Sequence, residues 1–239
     1  MKQLVFFLFL FTFFTYSQTQ IGQDINGEVS NDWLGWSVSL SDDGSTLAIG
    51  APFNDGNGAD SGHVRVYRNV SGVWNQIGAD IDGEASGDES GHCISLSADG
   101  SIVAIGAWFN AGNGYRSGHV RIYKNISGLW TQIGTDIDGE AGGDYSGYSV
   151  SLSSDGSILA IGAPLNDGNS NNSGHVRVYD LSAVLSTDSF NVALSRVYPN
   201  PATTEIHITL KNNLQLLKVN LYNQLGQLIK QSKSHTINI

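Results

Sequence analysis

Two segments of the chain crowd carboxylates into a short span. Asp80-Ile81-Asp82-Gly83-Glu84 with Asp88, and Asp136-Ile137-Asp138-Gly139-Glu140 with Asp144, each offer four acidic side chains within nine residues. A hard cation such as calcium takes roughly six to eight oxygen ligands, so a calcium loop is the chemistry this spacing permits. The earlier copy keeps Asp24, Glu28 and Asp32 but has Asn26 at one carboxylate position, and none of the three has EF-hand spacing. Solvated turn carboxylates are the plainer reading. His63, His119 and His175 also recur at a fixed offset, and converging imidazoles could hold a metal. Each is followed two residues on by Arg65, Arg121 or Arg177, whose charge would oppose a cation. A strand-surface His beside an Arg that pairs with a loop Asp is the simpler expectation.

The tryptophans divide into two sets. Trp74 and Trp130 recur at matching positions and are expected to pack. Trp33, Trp36 and Trp108 do not recur as tryptophan, and unrepeated aromatics in loops can build a binding surface for a glycan or a protein. Ordinary packing is the alternative reading for these three as well. Nucleophilic catalysis has little support. There is no G-x-S-x-G elbow, and the single cysteine, Cys93, stands where the neighbouring copies have Ser37 and Ser149, which suits a packed thiol. The expectation is a protein that is not an enzyme.

These side chains lie on a repeat. Ile21-Gly22-Gln23-Asp24-Ile25-Asn26-Gly27-Glu28 returns at Ile77 to Glu84 and Ile133 to Glu140, and Ser61 to Tyr67 returns at Ser117 to Tyr123 and Ser173 to Tyr179. Both phrases have the same period, and the third copy loses its match after Tyr179. Hydrophobic alternation with period two marks strands at Trp36 to Leu40, Leu47 to Ala51, Val64 to Tyr67 and Trp74 to Ile77, and at their counterparts. The Asp-Gly pairs at 43–44, 99–100 and 155–156 supply tight turns. The Ala-Ile-Gly-Ala strand has a small-residue side that lets another sheet approach closely.

The spacing therefore predicts an all-β protein with three four-stranded propeller-type blades, assigned to 21–76, 77–132 and 133–180 within 18–180. Three blades are fewer than propellers usually have. A homo-oligomer completing a six-bladed ring, an open stack and a fragment are the alternatives. In a closed ring the lone phrase at Ile21 would complete the last blade.

Composition agrees. Only 14% of the 239 residues are charged and 29 are glycine, which disfavours a helical protein. A net charge of -10 disfavours nucleic acid as a partner. Lys2 followed by the apolar run Leu4 to Phe14 and by Thr15-Tyr16-Ser17 reads as a signal peptide over 1–17, too short to span a bilayer. One cysteine excludes an internal disulfide framework.

Gly35-Trp36-Ser37-Val38, Gly91-His92-Cys93-Ile94 and Gly147-Tyr148-Ser149-Val150 each lead to an Ala-Ile-Gly-Ala strand. This arrangement resembles the FG-GAP repeats of integrin α-chains over about residues 21–180. The resemblance implies propeller blades used in adhesion or ligand binding. The calcium loop common in that family is reduced here to Ser41-Asp42-Asp43-Gly44 and its counterparts, and Trp108 replaces the proline found at Pro52 and Pro164.

Charge then changes sign. Residues 18–189 carry 6 basic and 21 acidic side chains, whereas 190–239 carry 5 and 1. Such a switch marks a domain boundary, with 181–189 as linker. Tyr198-Pro199-Asn200-Pro201 and the alternating strands after it resemble a type IX secretion C-terminal sorting domain of type A, expected as a small β-sandwich that is incomplete over 190–239. That resemblance implies export across the inner and outer membranes of a Bacteroidetes-type bacterium, with the secretion machinery as partner, and a secreted or cell-surface location. The functions expected are adhesion or ligand binding to an extracellular protein or glycan, or carbohydrate binding beside a secreted hydrolase.

Overall fold

The computed structural model describes residues 17–186, 195–198, 204–210, 216–223 and 227–238. The expected signal peptide, apart from Ser17, residues 187–189 of the expected linker and residues 190–194 of the expected sorting domain lie outside the described residues, as do Pro199, Asn200 and Pro201 of the tail motif. The chain divides into two compact units, Met1–Val184 and Leu185–Ile239.

The first unit is three antiparallel sheets built on one plan. β1 (Ser37–Leu40), β2 (Thr46–Ala51), β3 (His63–Val70) and β4 (Val73–Gln76) form a meander, and the short β5 (Ile81–Asp82) also pairs with β3. The second sheet repeats this with β6 (Cys93–Leu96), β7 (Ile102–Ala107), β8 (His119–Ile126), β9 (Leu129–Gln132) and β10 (Ile137–Asp138). The third has β11 (Ser149–Leu152), β12 (Ile158–Ala163) and β13 (His175–Asp180).

Four strands per blade therefore becomes five, five and three among the described residues. The difference lies in the repeated phrase. Its first residues end one sheet's outer edge, a turn through Gly78 (φ 74°) interrupts the pairing, and Ile81 then rejoins β3 opposite Val64. The first two sheets consequently extend past the repeat boundaries read from sequence. After β13 the short helix α1 (Ser182–Ser186) begins within the stretch expected to be linker, and Leu181 is buried.

Local chemistry explains the turns. Ser71 and Gly72 both have positive φ (54° and 86°), as a two-residue turn matched to strand twist requires, and the amide of Gly72 donates to Asn69 Oδ1 at 2.9 Å. The Ser41-Asp42-Asp43-Gly44 segment is a turn in which Asp43 accepts from the Ser41 hydroxyl and from the amide and hydroxyl of Ser45. Those bonds, the Ser41 hydroxyl first, hold the Asp43 carboxyl down at about 2.

The sheets pack face to face. The first sheet presents Ala48, Val64, Val66 and Ile81 to Ile94, Leu96, Val103 and Ile105 of the second, and all eight are buried. At the closest approach Ser37 Oγ donates to the carbonyl of Gly91 at 2.6 Å, and Cys93 Sγ to that of Gly147 at 2.8 Å. A Cβ on Gly50 or Gly106 would collide with these two carbonyl oxygens, so the small-residue side does admit a neighbouring backbone. The Cys93 thiol is pushed up to about 12 by burial, which makes it a poor nucleophile.

The second unit contains β14 (Ser195–Tyr198), β15 (Glu205–Leu210) and β18 (Thr236–Asn238) in one antiparallel sheet, and β16 (Val219–Tyr222) with β17 (Leu228–Ser232) in another.

Candidate functional site: an aromatic ribbon across the repeats

The loop before each first strand has one conformation. Trp33, Glu89 and Tyr145 occupy equivalent positions and share a left-handed backbone (φ 54°, 53° and 56°) that non-glycine residues rarely adopt. Two residues later comes a glycine with positive φ, at Gly35, Gly91 and Gly147, followed by Trp36, His92 and Tyr148. The turn after each second strand adds Phe53, Trp108 with Phe109, and Pro164 with Leu165. Both segments come from the same end of every sheet, so their side chains meet across the sheet boundaries.

The result is a continuous line of rings. Trp33 stacks on Trp36 at 5.6 Å, and both touch Phe53. Trp36 reaches His92 at 5.8 Å, and His92 stacks on Trp108 at 4.4 Å and meets Tyr148 at 5.2 Å. Trp108 continues to Phe109 and Tyr145. Trp33, Trp36 and Tyr148 are 55%, 49% and 45% exposed, so about half of each remains open to solvent. At the far end Trp108, Phe109, Tyr145, Tyr148, Pro164 and Leu165 line a recess of about 390 Å³.

Polar groups punctuate the ribbon. The Trp108 indole donates to Glu89 Oε2 at 2.8 Å. Burial pushes the Glu89 carboxyl up despite that hydrogen bond. Arg116 lies over the Phe109 ring at 4.3 Å and donates to the Tyr145 hydroxyl at 3.0 Å. Burial also lowers the His92 imidazole, favouring its neutral form. Trp33, Trp36 and Trp108, which sequence treats as separate loop aromatics, are thus brought onto one surface. His92, Tyr145, Tyr148, Phe53 and Phe109 were missed because residue identity changes between copies. The repeat already aligns Trp36 with His92 and Tyr148, but it does not show that their rings meet across the sheet boundaries.

The acidic phrases do something else. Arg65 grips Asp80 through Nε and Nη2, both at 3.0 Å, and also pairs with Glu28. Arg121 does the same with Asp136, at 2.9 and 2.8 Å, and reaches Glu84 at 2.6 Å. The phrases at 77–84 and 133–140 therefore each clasp two sheets, the Asp holding the arginine of the preceding sheet and the Glu reaching that of the following one, Glu140 lying 3.8 Å from Arg177. Asp88 and Asp144 accept from the amides of Ala85 and Ala141 and from the amide side chains of Asn110 and Asn166. Asp82 borders a recess with Glu28, Asp32, Asp55, Asp80 and His63. Asp138 stands at the equivalent place in the next repeat, its backbone carbonyl accepting from Arg177 at 2.6 Å. Two carboxylate–imidazole groups, Glu28–His63–Asp80 and Glu84–Asp88–His119, bring their ligand atoms within 4.8 Å. Both also contain a guanidinium contact, which supplies the countercharge a cation would bring. Arginine pairing with a loop Asp is as the sequence suggests, but His63 and His119 are 2% and 3% exposed and not at the surface. Burial lowers both imidazoles.

Two family models match the chain. One, described as FG-GAP repeat, matches residues 26–67 and 132–179, and the other, described as secretion system C-terminal sorting domain, matches 196–239. The chain carries FG-GAP repeats and a type IX sorting tail. That tail directs export to the cell surface or the medium through the type IX machinery. Among the described residues no helix is long and apolar enough to cross a membrane. No curated protein matches.

Similar solved structures include a protein of Bacteroides uniformis assigned as a 6-phosphogluconolactonase (12% identity, TM-score 0.43, 85% of this chain and 54% of that one). Another is the periplasmic gluconolactonase of Pseudomonas aeruginosa (18%, 0.43, 83% and 56%). A third is the hydrazine synthase of Kuenenia stuttgartiensis (16%, 0.41, 77% and 46%). The chain spans about half the length of these structures.

Proposed function

We propose that this secreted or cell-surface repeat protein is a non-catalytic ligand-binding protein, and that the aromatic ribbon is its binding face. The observation that carries the proposal is the unbroken run of ring contacts from Trp33 to Tyr145 with half-open tryptophan and tyrosine faces. A soluble chain that exposes such a surface leaves apolar area in water, which is worth its cost only when a partner covers it. Carbohydrate is the ligand class favoured. Sugar rings stack their C–H faces on aromatic planes, and Arg116 stands beside those planes to donate hydrogen bonds to sugar hydroxyls.

Binding to a panel of soluble polysaccharides, read by affinity electrophoresis or calorimetry, tests this. Trp36→Ala and Trp108→Ala should each weaken binding at least about tenfold, the effect of losing one aromatic anchor. Unchanged binding in both variants refutes the assignment of the face. Absence of polysaccharide binding, together with Trp36-dependent binding to a surface protein, replaces the glycan with a protein ligand.

A further inference from the structure

The first and third sheets each leave open a face that is closed elsewhere in the array. Val64 and Val66 of the first sheet are 0% and 1% exposed, and Val120 and Ile122 of the second are 0% and 2%. Their counterparts in the third sheet, Val176 and Val178, are 67% and 66% exposed. On the opposite face, Ile94 and Leu96 of the second sheet are buried, whereas the equivalent Val38 and Leu40 of the first sheet are 63% and 56% exposed. The two open faces are thus the two halves of the contact that already joins the first sheet to the second.

The clasp is split in the same way. The phrase at residues 20–28 is held against the first sheet as Gln76 to Glu84 is held against the second. The Trp74 indole donates to the carbonyl of Ile21, as Trp130 does to that of Ile77, and Glu28 pairs with Arg65 as Glu84 does with Arg121. Gln20 donates to Asp24 at 2.8 Å, reproducing the Gln76–Asp80 and Gln132–Asp136 bonds. Asp80 and Asp136 then go on to hold an arginine. Asp24 has no arginine among the described residues, and Arg177 has no aspartate side chain. Arg177 Nε is buried without a hydrogen-bond partner, and so is Nε2 of His175.

We propose that a second copy of this chain supplies the missing half: the 20–28 phrase and exposed β1 face of one copy dock on β13 of the next, in the same step that relates successive sheets. By the register of β5 on β3, Ile25 then lies opposite Val176 and Asn26 opposite His175, while Asp24 closes on Arg177. Ser149 Oγ finds the Gly35 carbonyl of the next copy, as Ser37 finds that of Gly91. The contact is heterologous, so the copies form a ring if the rotation closes and a longer array if it does not.

Light scattering on the purified protein should give a mass that is a multiple of the single-chain mass at high concentration and falls on dilution. Asp24→Arg and Arg177→Asp should each weaken association at least tenfold, and the chain carrying both changes should recover it, a rescue that misfolding could not produce. Gly162→Ala, whose methyl meets the rotatable Ser149 hydroxyl in its own chain and, in the proposed contact, the Gly35 carbonyl of the next copy, should weaken association far more than it alters monomer unfolding. An oxidised mixture of the single variants Ile25→Cys and Val176→Cys should yield a covalent dimer. A monomer at every concentration, or an oxidised mixture that yields no covalent dimer, overturns the proposal.

Discussion

Gly106→Ala puts the packing of sheet on sheet to a direct test. A methyl at this position would sit far inside 3.4 Å of the Gly147 carbonyl oxygen, which is backbone, and would also crowd Cys93 Sγ. Relief requires the third sheet to retreat by about 1 Å, because carbon contacts are most favourable near 3.5–4 Å. Gly106 has no positive φ, so the cost is steric and not conformational. Overpacking typically costs about 1–3 kcal/mol, and a clash with backbone plus loss of the sulfur hydrogen bond places this variant in the upper part of that range, at about 2–3 kcal/mol. In a chain of this length the melting temperature should fall by roughly 5–10 °C. The control is Gly162→Ala, the same position in the third sheet, where the new methyl would meet only the rotatable Ser149 hydroxyl. Repositioning that side chain costs less than about 1 kcal/mol. Urea unfolding followed by tryptophan fluorescence, at a dilution where the protein is monomeric, measures both. Equal losses in the two variants, or a Gly106→Ala loss under about 0.5 kcal/mol, would refute the reasoning, since the first variant alone confronts a neighbouring sheet.

Arg121→Leu should cost about 2 kcal/mol in the same assay by leaving Asp136 and Glu84 without their shared cation, and Arg121→Lys should not restore it, because one ammonium cannot reproduce the two-pronged grip on Asp136. His119 is held neutral by burial, with its pKa below the ordinary 6.5, so the unfolded chain takes up a proton first as pH falls. Stability should therefore be full above pH about 6.5 and decline below it, and the slope of unfolding free energy against pH should be smaller in His119→Gln. Asp136 works in the carboxylate range, where the Arg121 hydrogen bonds lower it. Its contribution should be present above the unfolded value of 3.8 and disappear as pH drops further, a loss that Asp136→Asn should remove from the acid titration. Cys93, pushed up to about 12, should resist a disulfide reagent at pH 8 in the folded protein and react promptly in urea.

Much of the first unit could be read without coordinates, because its information is local and repeated. Period-two alternation in His63 to Tyr67 and its copies makes strands, Asp-Gly and Ser-Gly pairs make turns, and Gly50 and Gly106 announce a close neighbour. The sorting tail was legible for a similar reason, since Tyr198-Pro199-Asn200-Pro201 is contiguous.

Tertiary structure decided who meets whom. Asp80 and Glu84 are four residues apart and look like co-ligands, yet they face arginines on two different sheets because the phrase runs along the seam between them. His63 alternates as a surface residue would, but the phrase after Gly78 folds back and buries it. The aromatic ribbon joins residues from Trp33 to Leu165 whose types vary from copy to copy, and only stacking of the three sheets brings the same end of each repeat into line. A sequence specifies the repeating unit through local pattern. The surface those units share arises from the step between them, which is set by the packing of faces distant along the chain.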